Sequence, residues 1–260
     1  FVLMFKKPLK FAVFNNKGGV GKSTVAVHIA HGLAIRGKKV LLMDLDGQND
    51  ASLFLGFTSE DYGNSLYEIL IGQDGVGLED CIVHARDNLY LLPARYIERV
   101  NDNLYREPEI SSFLGNKLCG LDKMGFDYVI VDCGPKRSKI NDAALYFVDY
   151  IIVPVQVEAA SVRAIGNIYE YLSDLGLDSD MIAMVIPNMY DRRTGEGREN
   201  LDFIRDFFAD SGIVTDPIPR RIKIAESGKN GQTVYEYDNE VSKLFEGVVE
   251  RLVEINGRKG

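Results

Sequence analysis

A glycine-rich stretch at positions 17–24, KGGVGKST, constrains the fold of this chain more than any other feature. It follows the apolar run FAVF at positions 11–14 and leads into a helical pattern over positions 25–35. A strand, a glycine-rich loop and a helix in this order are typical of a phosphate-binding loop, because the loop N–H groups and the helix N-terminus together attract an anion. The sequence therefore predicts a nucleotide site at the carboxyl end of the first strand.

The residues of this loop have distinct expected tasks. Gly18, Gly19 and Gly21 allow the backbone to turn its N–H groups inward, towards a phosphate. Lys22 is expected to reach the β- and γ-phosphates, and the hydroxyl group of Ser23 is expected to ligate Mg²⁺. Contacts with the nucleotide are thus predicted for eight consecutive residues: Lys17, Gly18, Gly19, Val20, Gly21, Lys22, Ser23 and Thr24.

The start of the loop departs from the general motif G-x-x-x-x-G-K-[ST], because Asn16 stands where the first glycine is expected. An additional lysine, Lys17, follows it. The spelling K-G-G-x-G-K-[ST] resembles the deviant Walker A box of the ParA/MinD ATPases. In that family the first lysine reaches the nucleotide of the partner subunit. The resemblance therefore implies a homodimer that sandwiches two ATP molecules, with Lys17 and Lys22 as catalytic residues.

Apolar runs and helical patterns alternate along the chain. Strands are predicted at 10–15, 39–44, 89–93, 127–132, 150–155, 181–187 and near 214–218. Helices are predicted at 22–36, 65–71, 110–123, 141–147, 160–175, 197–210 and 239–256. Continuous apolar runs such as YVIV indicate strands that are buried on both faces. The expected fold is an α/β, doubly wound, mostly parallel sheet flanked by helices, as in P-loop NTPases, with residues 1–9 as an N-terminal tail and residues 10–260 as a single ATPase domain.

Three carboxylates end predicted strands near the phosphate loop. Asp44 and Asp46 are expected on the same side of their strand, because alternate residues share a face. The segment DLDGQ that starts at Asp44 resembles the Walker A′ box D-x-D-P-Q of the same family, with Gly47 in place of proline. The resemblance implies that Asp46 is catalytic and activates the attacking water, and that Asp44 supports the Mg²⁺ shell. Asp132 ends an apolar strand in a Walker B pattern and is expected to bind Mg²⁺ with Ser23.

Motifs in the second half of the chain narrow the resemblance. Asn188 ends a strand, and an amide at that point can both donate to and accept from the edge of an adenine base. The following segment MYDRRT resembles a motif of chromosome-type ParA (Soj) proteins, and so do IPRR from Ile218 and YEYD from Tyr235. The resemblance implies that Asn188 and Pro219 contact the base, and it covers nearly the whole chain from about residue 10.

Charge and composition restrict the possible partners. A net charge of −8 argues against strong attraction of nucleic acid by the whole protein, but it permits a local basic patch. Eight basic residues lie at positions 192–229, where acids interleave them. Lys136, Arg137 and Lys139 follow the Walker B strand and form either a partner or DNA surface or a solvated loop. The sequence has no run of 18 apolar residues, so no membrane-spanning helix is expected, and three cysteines without C-x-x-C spacing are typical of a reducing compartment.

These features, together with the resemblance, predict a Mg²⁺-dependent ATPase whose ATP-bound dimer partitions or positions DNA or another cargo. The resemblance implies binding to nonspecific DNA, activation by a ParB-like or cargo adaptor protein, and a cytoplasmic location that becomes nucleoid-associated in the ATP state. A MinD-like membrane-cycling ATPase is one alternative, disfavoured by the acidic polar face of the last predicted helix. An ATP-dependent amide synthetase and an iron–sulfur electron carrier on the same scaffold are two others.

Overall fold

The sheet is the frame that carries the predicted site. The computed structural model describes residues 6–259, so residues 1–5 of the predicted tail lie outside the described part of the chain. One eight-stranded sheet has the order β3-β4-β2-β5-β1-β6-β7-β8, and only β3 runs antiparallel to its neighbour among the described strands. The strands are β1 (Leu9–Val13), β2 (Val40–Asp44), β3 (Val83–Arg86), β4 (Leu89–Leu92), β5 (Tyr128–Asp132), β6 (Tyr150–Gln156), β7 (Ile182–Tyr190) and β8 (Ile218–Pro219).

Helices cover both faces of this sheet, as the alternating pattern predicts. They are α1 (Lys22–Ile35), α2 (Asp50–Phe54), α3 (Leu66–Ile71), α4 (Ile97–Leu104), α5 (Ile110–Lys117), α6 (Lys139–Phe147), α7 (Ser161–Asp174), α8 (Gly195–Phe207), α9 (Ile222–Lys229), α10 (Val234–Tyr237), α11 (Asn239–Ser242) and α12 (Glu246–Lys259). Every residue of β2 and β5 is buried, which explains why those strands read as continuous apolar runs. The mostly parallel, doubly wound α/β fold is confirmed.

Two apolar layers hold the helices against the sheet. On one face, Val25, Ile29 and Leu33 of α1 pack with Leu252 of α12 against alternate strand residues. On the other face, α6 and α7 pack against the intervening strand residues, which include Val129 of β5. Strand residues alternate between the two layers because successive side chains point to opposite faces.

Several short elements differ from the prediction. The strand β3 was not expected, because its sequence VHAR is half exposed and lacks an apolar run. The helices α2, α4, α9 and α10 were not expected either; they have four to eight residues and too few turns for a clear period. The predicted C-terminal helix begins as α11, continues as a 3₁₀ turn over Lys243–Phe245 and ends as α12.

The strand ends bring the predicted site together. The strands β1, β2, β5, β6 and β7 are parallel neighbours, so their carboxyl ends lie along one edge of the sheet. In register, Asp44 at the end of β2 pairs with Asp132 at the end of β5. The glycine-rich loop leaves β1 between β5 and β6, at the centre of this edge.

Candidate nucleotide and magnesium site

The glycine-rich loop has the conformation that its sequence predicts. Gly19 and Gly21 have φ angles of 74° and 87°, a left-handed region that favours glycine. The helix α1 begins directly after Gly21, so its first N–H groups face the loop. Lys22 is almost fully buried, and its Nζ donates to the Lys17 carbonyl at 3.3 Å. Burial lowers the pKa of Lys22, while the charges of Asp132 and Asp46 act in the opposite direction.

A cavity of about 530 Å³ opens beside this loop. The predicted residues along its wall are Gly18, Gly19, Gly21, Lys22, Ser23, Thr24 and Asp46. The remaining lining residues, which sequence reasoning missed, are Gln48, Asp50, Leu53, Phe54, Pro135, Met189, Ala225, Gly228 and Lys229. Gln48 and Met189 stand in the segments DLDGQ and MYDRRT, whereas residues such as Leu53, Phe54 and Gly228 belong to no recognisable local pattern. The cavity thus has a polar end at the loop and a more apolar end near Phe54.

The surroundings of Asp132 suit a carboxylate that binds a cation. It is fully buried, and neither of its carboxylate oxygens accepts a hydrogen bond of good geometry within residues 6–259, although the Ser23 hydroxyl lies near enough to lower its pKa. Burial and the nearby charge of Asp44 raise its pKa well above the usual range, while Ser23 and Lys22 act in the opposite direction. An unpaired buried carboxylate is unfavourable unless a cation or proton compensates it. The side chains of Ser23 and Asp132 therefore fit the hard oxygen ligands that Mg²⁺ prefers.

The described residues contain no cluster of three or more His, Cys, Asp or Glu side chains arranged for a metal ion. Mg²⁺ seldom uses such a cluster, because it usually binds one or two protein oxygens together with phosphates and water. Cys133 follows the Walker B strand and is fully buried, and burial raises the pKa of its thiol. Its position in the core does not favour the exposed cysteine that an iron–sulfur carrier would need.

Asp44 and Asp46 have different surroundings although they are two residues apart. Asp44 is fully buried, and its carboxylate accepts hydrogen bonds from the Ser52 N–H at 3.0 Å, the Ser52 hydroxyl at 2.7 Å and the Asp46 N–H at 3.1 Å. Burial raises the pKa of Asp44 to about 6. Asp46 lines the cavity, and one of its oxygens accepts from the Gln48 N–H at 3.1 Å. Asp44 thus stabilises the loop that presents Asp46.

Lys17 lies at the start of the glycine-rich loop with its ammonium group paired to Glu158 of the same chain. Both side chains are a little more than one-third exposed. The backbone N–H of Lys17 donates to Asn15, whose amide donates in turn to the Pro154 carbonyl at 2.8 Å. Ser161 at the start of α7 accepts from the Glu158 N–H at 2.9 Å, so the turn that carries Glu158 is also fixed. No sequence pattern indicates this partner, which lies 141 positions away.

Asn188 contacts the loop, and neither Asn188 nor Pro219 lines the cavity. The Asn188 amide donates to the Val20 carbonyl at 2.8 Å and accepts from the Met189 N–H at 2.9 Å. A Cβ atom at Gly21 would lie only 2.4 Å from the Asn188 Nδ2, so the amide packs directly against the loop. Pro219 is half-buried at the end of β8, next to β7. Contact of these two residues with an adenine base stays a prediction.

Comparisons with known proteins agree with this fold. The AAA domain family matches residues 9–181. The sporulation initiation inhibitor protein Soj of Bacillus subtilis is 32% identical over 87% of this chain and 90% of its own length. Apo McdA from Cyanothece shares the fold with a TM-score of 0.81, at 23% identity over 94% of this chain and 99% of that one. Cobyrinic acid a,c-diamide synthase from Mycobacterium smegmatis, with a bound ATP analogue and magnesium, has a TM-score of 0.73 and 29% identity over 86% of this chain and 92% of that one.

Proposed function

We propose that this chain, which belongs to the ParA/MinD group of P-loop ATPases, is a Mg²⁺-dependent ATPase. Its ATP-bound dimer would position DNA or another cargo. The observation that carries the proposal is Asp132, a buried carboxylate without a hydrogen-bond partner in the described part of the chain, beside a phosphate loop. This arrangement is unfavourable without a cation and suits a Mg²⁺–nucleotide complex. In the proposed cycle, hydrolysis to ADP and phosphate ends the cargo-binding state.

Each residue of the site has a proposed role in hydrolysis. Ser23 and Asp132 would hold Mg²⁺, which supplies charge neutralisation at the phosphates when it is bound. Lys22 would donate to the β- and γ-phosphates from its buried position, where low polarity strengthens the interaction. Asp46 faces the cavity and would orient the attacking water. Asp44 would not bind Mg²⁺ directly. It would hold the Asp46 segment in place by accepting a hydrogen bond from the Asp46 N–H.

ATPase activity and its dependence on magnesium are tested first. Wild-type protein is incubated with ATP and Mg²⁺, and phosphate release is followed in parallel with a sample that contains EDTA. We expect slow release that EDTA abolishes and that Asp46→Asn reduces strongly without loss of ATP binding. Release that is unaffected by EDTA, or by Asp46→Asn, contradicts the proposed chemistry.

Lys17 supports the proposal of a dimer that shares its nucleotides. Its side chain is 39% exposed, so only the Glu158 ion pair has to open before the ammonium group can reach a second subunit. We expect Lys17→Ala to keep ATP binding and to lose ATP-dependent dimerisation, measured by light scattering after size exclusion. Lys10→Ala is a suitable control, because Lys10 pairs with Asp122 at the opposite end of β1. Wild-type dimerisation of Lys17→Ala contradicts the shared-site role.

Nonspecific DNA is the ligand that we propose for the ATP-bound state. Binding to it would place the protein on the nucleoid within the cytoplasm. Support comes from two exposed arginines, Arg220 and Arg221, which follow β8. The Arg220 guanidinium lies 3.9 Å from the sulfur of Met189, a residue that lines the nucleotide cavity. We expect an ATP-dependent gel shift that Arg220→Glu or Arg221→Glu weakens, with stronger binding at low salt. A shift that is independent of ATP contradicts the proposal.

The proposed activating partner is a ParB-like protein or a cargo adaptor. It would be recognised because phosphate release is faster in its presence than in its absence.

Two of the alternatives, the membrane-cycling ATPase and the amide synthetase, differ in what they require of the structure. Across residues 6–259, no helix has the length and apolar content needed to span a bilayer. The apolar residues Val248, Val249 and Leu252 of α12 are buried in the protein core, so they are not available to a membrane surface as in a MinD-like cycle. An amide synthetase would need a second substrate, and the similarity to the cobyrinic acid enzyme makes ATP-dependent amide synthesis worth one direct assay.

A further inference from the structure

The loop after β5 touches both halves of the proposed hydrolysis site. A Cβ atom at Gly18 would lie 3.7 Å from the Pro135 Cβ, so Pro135 packs on the phosphate loop. A Cβ atom at Gly134 would lie 3.8 Å from the Leu45 carbonyl and 4.0 Å from the Asp46 Cα. The position of this loop therefore determines how the Asp46 segment is set relative to the glycine-rich loop.

Arg137 fastens the end of this loop to α7. Its Nη1 donates to Asp174 Oδ2 at 2.8 Å, and its Nη2 donates to the Asn167 carbonyl at 3.3 Å. The guanidinium group also stacks over the ring of Tyr171 at 4.5 Å from its centroid. A planar guanidinium can make all of these contacts at once, whereas an ammonium group cannot.

The other basic residues of this segment behave differently. Lys139 pairs with the buried Asp142 at 3.0 Å, and Asp142 also accepts a hydrogen bond from the Tyr171 hydroxyl. Lys136 is exposed and makes no ion pair within 4.0 Å inside residues 6–259. Two of the three basic side chains are thus engaged within the chain, which disfavours a DNA surface here.

We propose that Arg137 is a positioning residue for ATP hydrolysis, which holds Gly134 and Pro135 against Asp46 and Gly18 by anchoring their loop to α7. This inference rests on the proposed ATPase function. The same helix begins beside the turn that carries Glu158, the partner of Lys17. The helix α7 therefore contacts both the turn that carries the partner of Lys17 and the loop that packs on Asp46.

The test compares Arg137→Ala with Lys136→Ala, which removes the same charge one position earlier and breaks no ion pair within 4.0 Å in the described part of the chain. We expect kcat of phosphate release to fall about five- to tenfold in Arg137→Ala, because a misplaced group weakens the transition state more than the bound state. ATP affinity, measured with a fluorescent analogue in EDTA-free buffer, should change less than about twofold. Lys136→Ala should match wild type in both measurements.

Two further variants separate positioning from a general effect on stability. Asp174→Ala should reproduce part of the loss in kcat, because the Asn167 carbonyl and the Tyr171 ring still hold the guanidinium group. The double variant Arg137→Ala/Asp174→Ala should be little worse than Arg137→Ala, because Asp174 acts through Arg137. Arg137→Lys keeps the positive charge but loses the planar guanidinium group that stacks on Tyr171 and donates two hydrogen bonds. Its kcat should therefore lie between that of Arg137→Ala and that of the wild type. Equal kcat for Arg137→Ala and Lys136→Ala, or full recovery by Arg137→Lys, overturns the inference while the ATPase function stands. A wild-type protein without hydrolysis overturns both.

Discussion

Asp132 provides the sharpest test of the site, because its carboxylate should destabilise the ligand-free protein and stabilise the complex with Mg²⁺ and ATP. Replacing Asp132 with Asn removes a buried carboxylate whose oxygens lack partners within residues 6–259, and it leaves the side-chain volume unchanged. An unsatisfied buried polar group costs about 1–3 kcal/mol, and a charged one more. The Asn amide is itself unsatisfied at this position, so the substitution relieves only the additional cost of the charge. Asp132→Asn should therefore raise the free energy of unfolding of the ligand-free protein by about 1 kcal/mol, or Tm by roughly 2–4 °C.

The same substitution should remove the stabilisation that Mg²⁺ and ATP give to the wild-type protein. At a ligand concentration about a hundredfold above Kd, that stabilisation is about 3 kcal/mol. The assay is urea unfolding followed by circular dichroism, for both proteins, with ATP and either Mg²⁺ or EDTA. We expect the wild type to gain stability with Mg²⁺ and ATP, and the variant to start higher and gain little.

Asp127 supplies the matched control for this experiment. It stands one residue before β5, and its carboxylate accepts from the Lys39 N–H at 2.8 Å. Asp127→Asn weakens a satisfied hydrogen bond, so it should lower stability slightly and keep the full response to Mg²⁺ and ATP. The reasoning is refuted if Asp132→Asn destabilises the ligand-free protein, or if its response to Mg²⁺ and ATP equals that of the control.

Two other predictions concern the helix and the turn that follow β1. Burial lowers the pKa of His28 to about 4 from 6.5, so its contribution to stability is present above pH 6.5 and is lost as the pH falls towards 4. Between pH 8 and pH 5 the wild type should lose about 2 kcal/mol more of its unfolding free energy than His28→Gln, measured by urea titration at each pH. For the turn, Gly21→Ala should weaken ATP binding at least about tenfold, because a strained φ and a contact with Asn188 displace the loop. Gly37→Ala, with a φ of 75° but no described atom within 4 Å of its Cβ, should cost about 1 kcal/mol of stability and leave ATP binding intact, as nucleotide titration can check.

Residues at the ends of long apolar strands could be predicted from the sequence. Asp46 and Asp132 follow buried runs in the correct order after a phosphate loop, and parallel strands place their carboxyl ends together whatever the details of packing. The same logic places Asn188 near the loop. Its hydrogen bond to Val20 could not be predicted, because the two residues are separated by 168 positions and the bond depends on where the end of β7 lies relative to the loop after β1.

Contacts between side chains of distant segments also escaped the sequence. Glu158 and Ser52 carry no motif, and only the fold shows that they hold Lys17 and Asp44. Short helices such as α4 were missed because eight residues complete little more than two turns, too few to establish a period. Arg137 was recognised as unusual, but its surroundings on α7 decide between a partner surface and an internal contact.

The two outer strands of the sheet have a consequence for how such a protein can assemble. An outer strand exposes unpaired N–H and C=O groups that another chain can extend into an aggregate. Here β3 has four residues and a register shift between His84 and Arg86, while β8 has two residues, one of them a proline without an N–H group. Neither offers a long template for strand addition. Copies of the protein that come close together would therefore be protected from irreversible backbone pairing through these two edges.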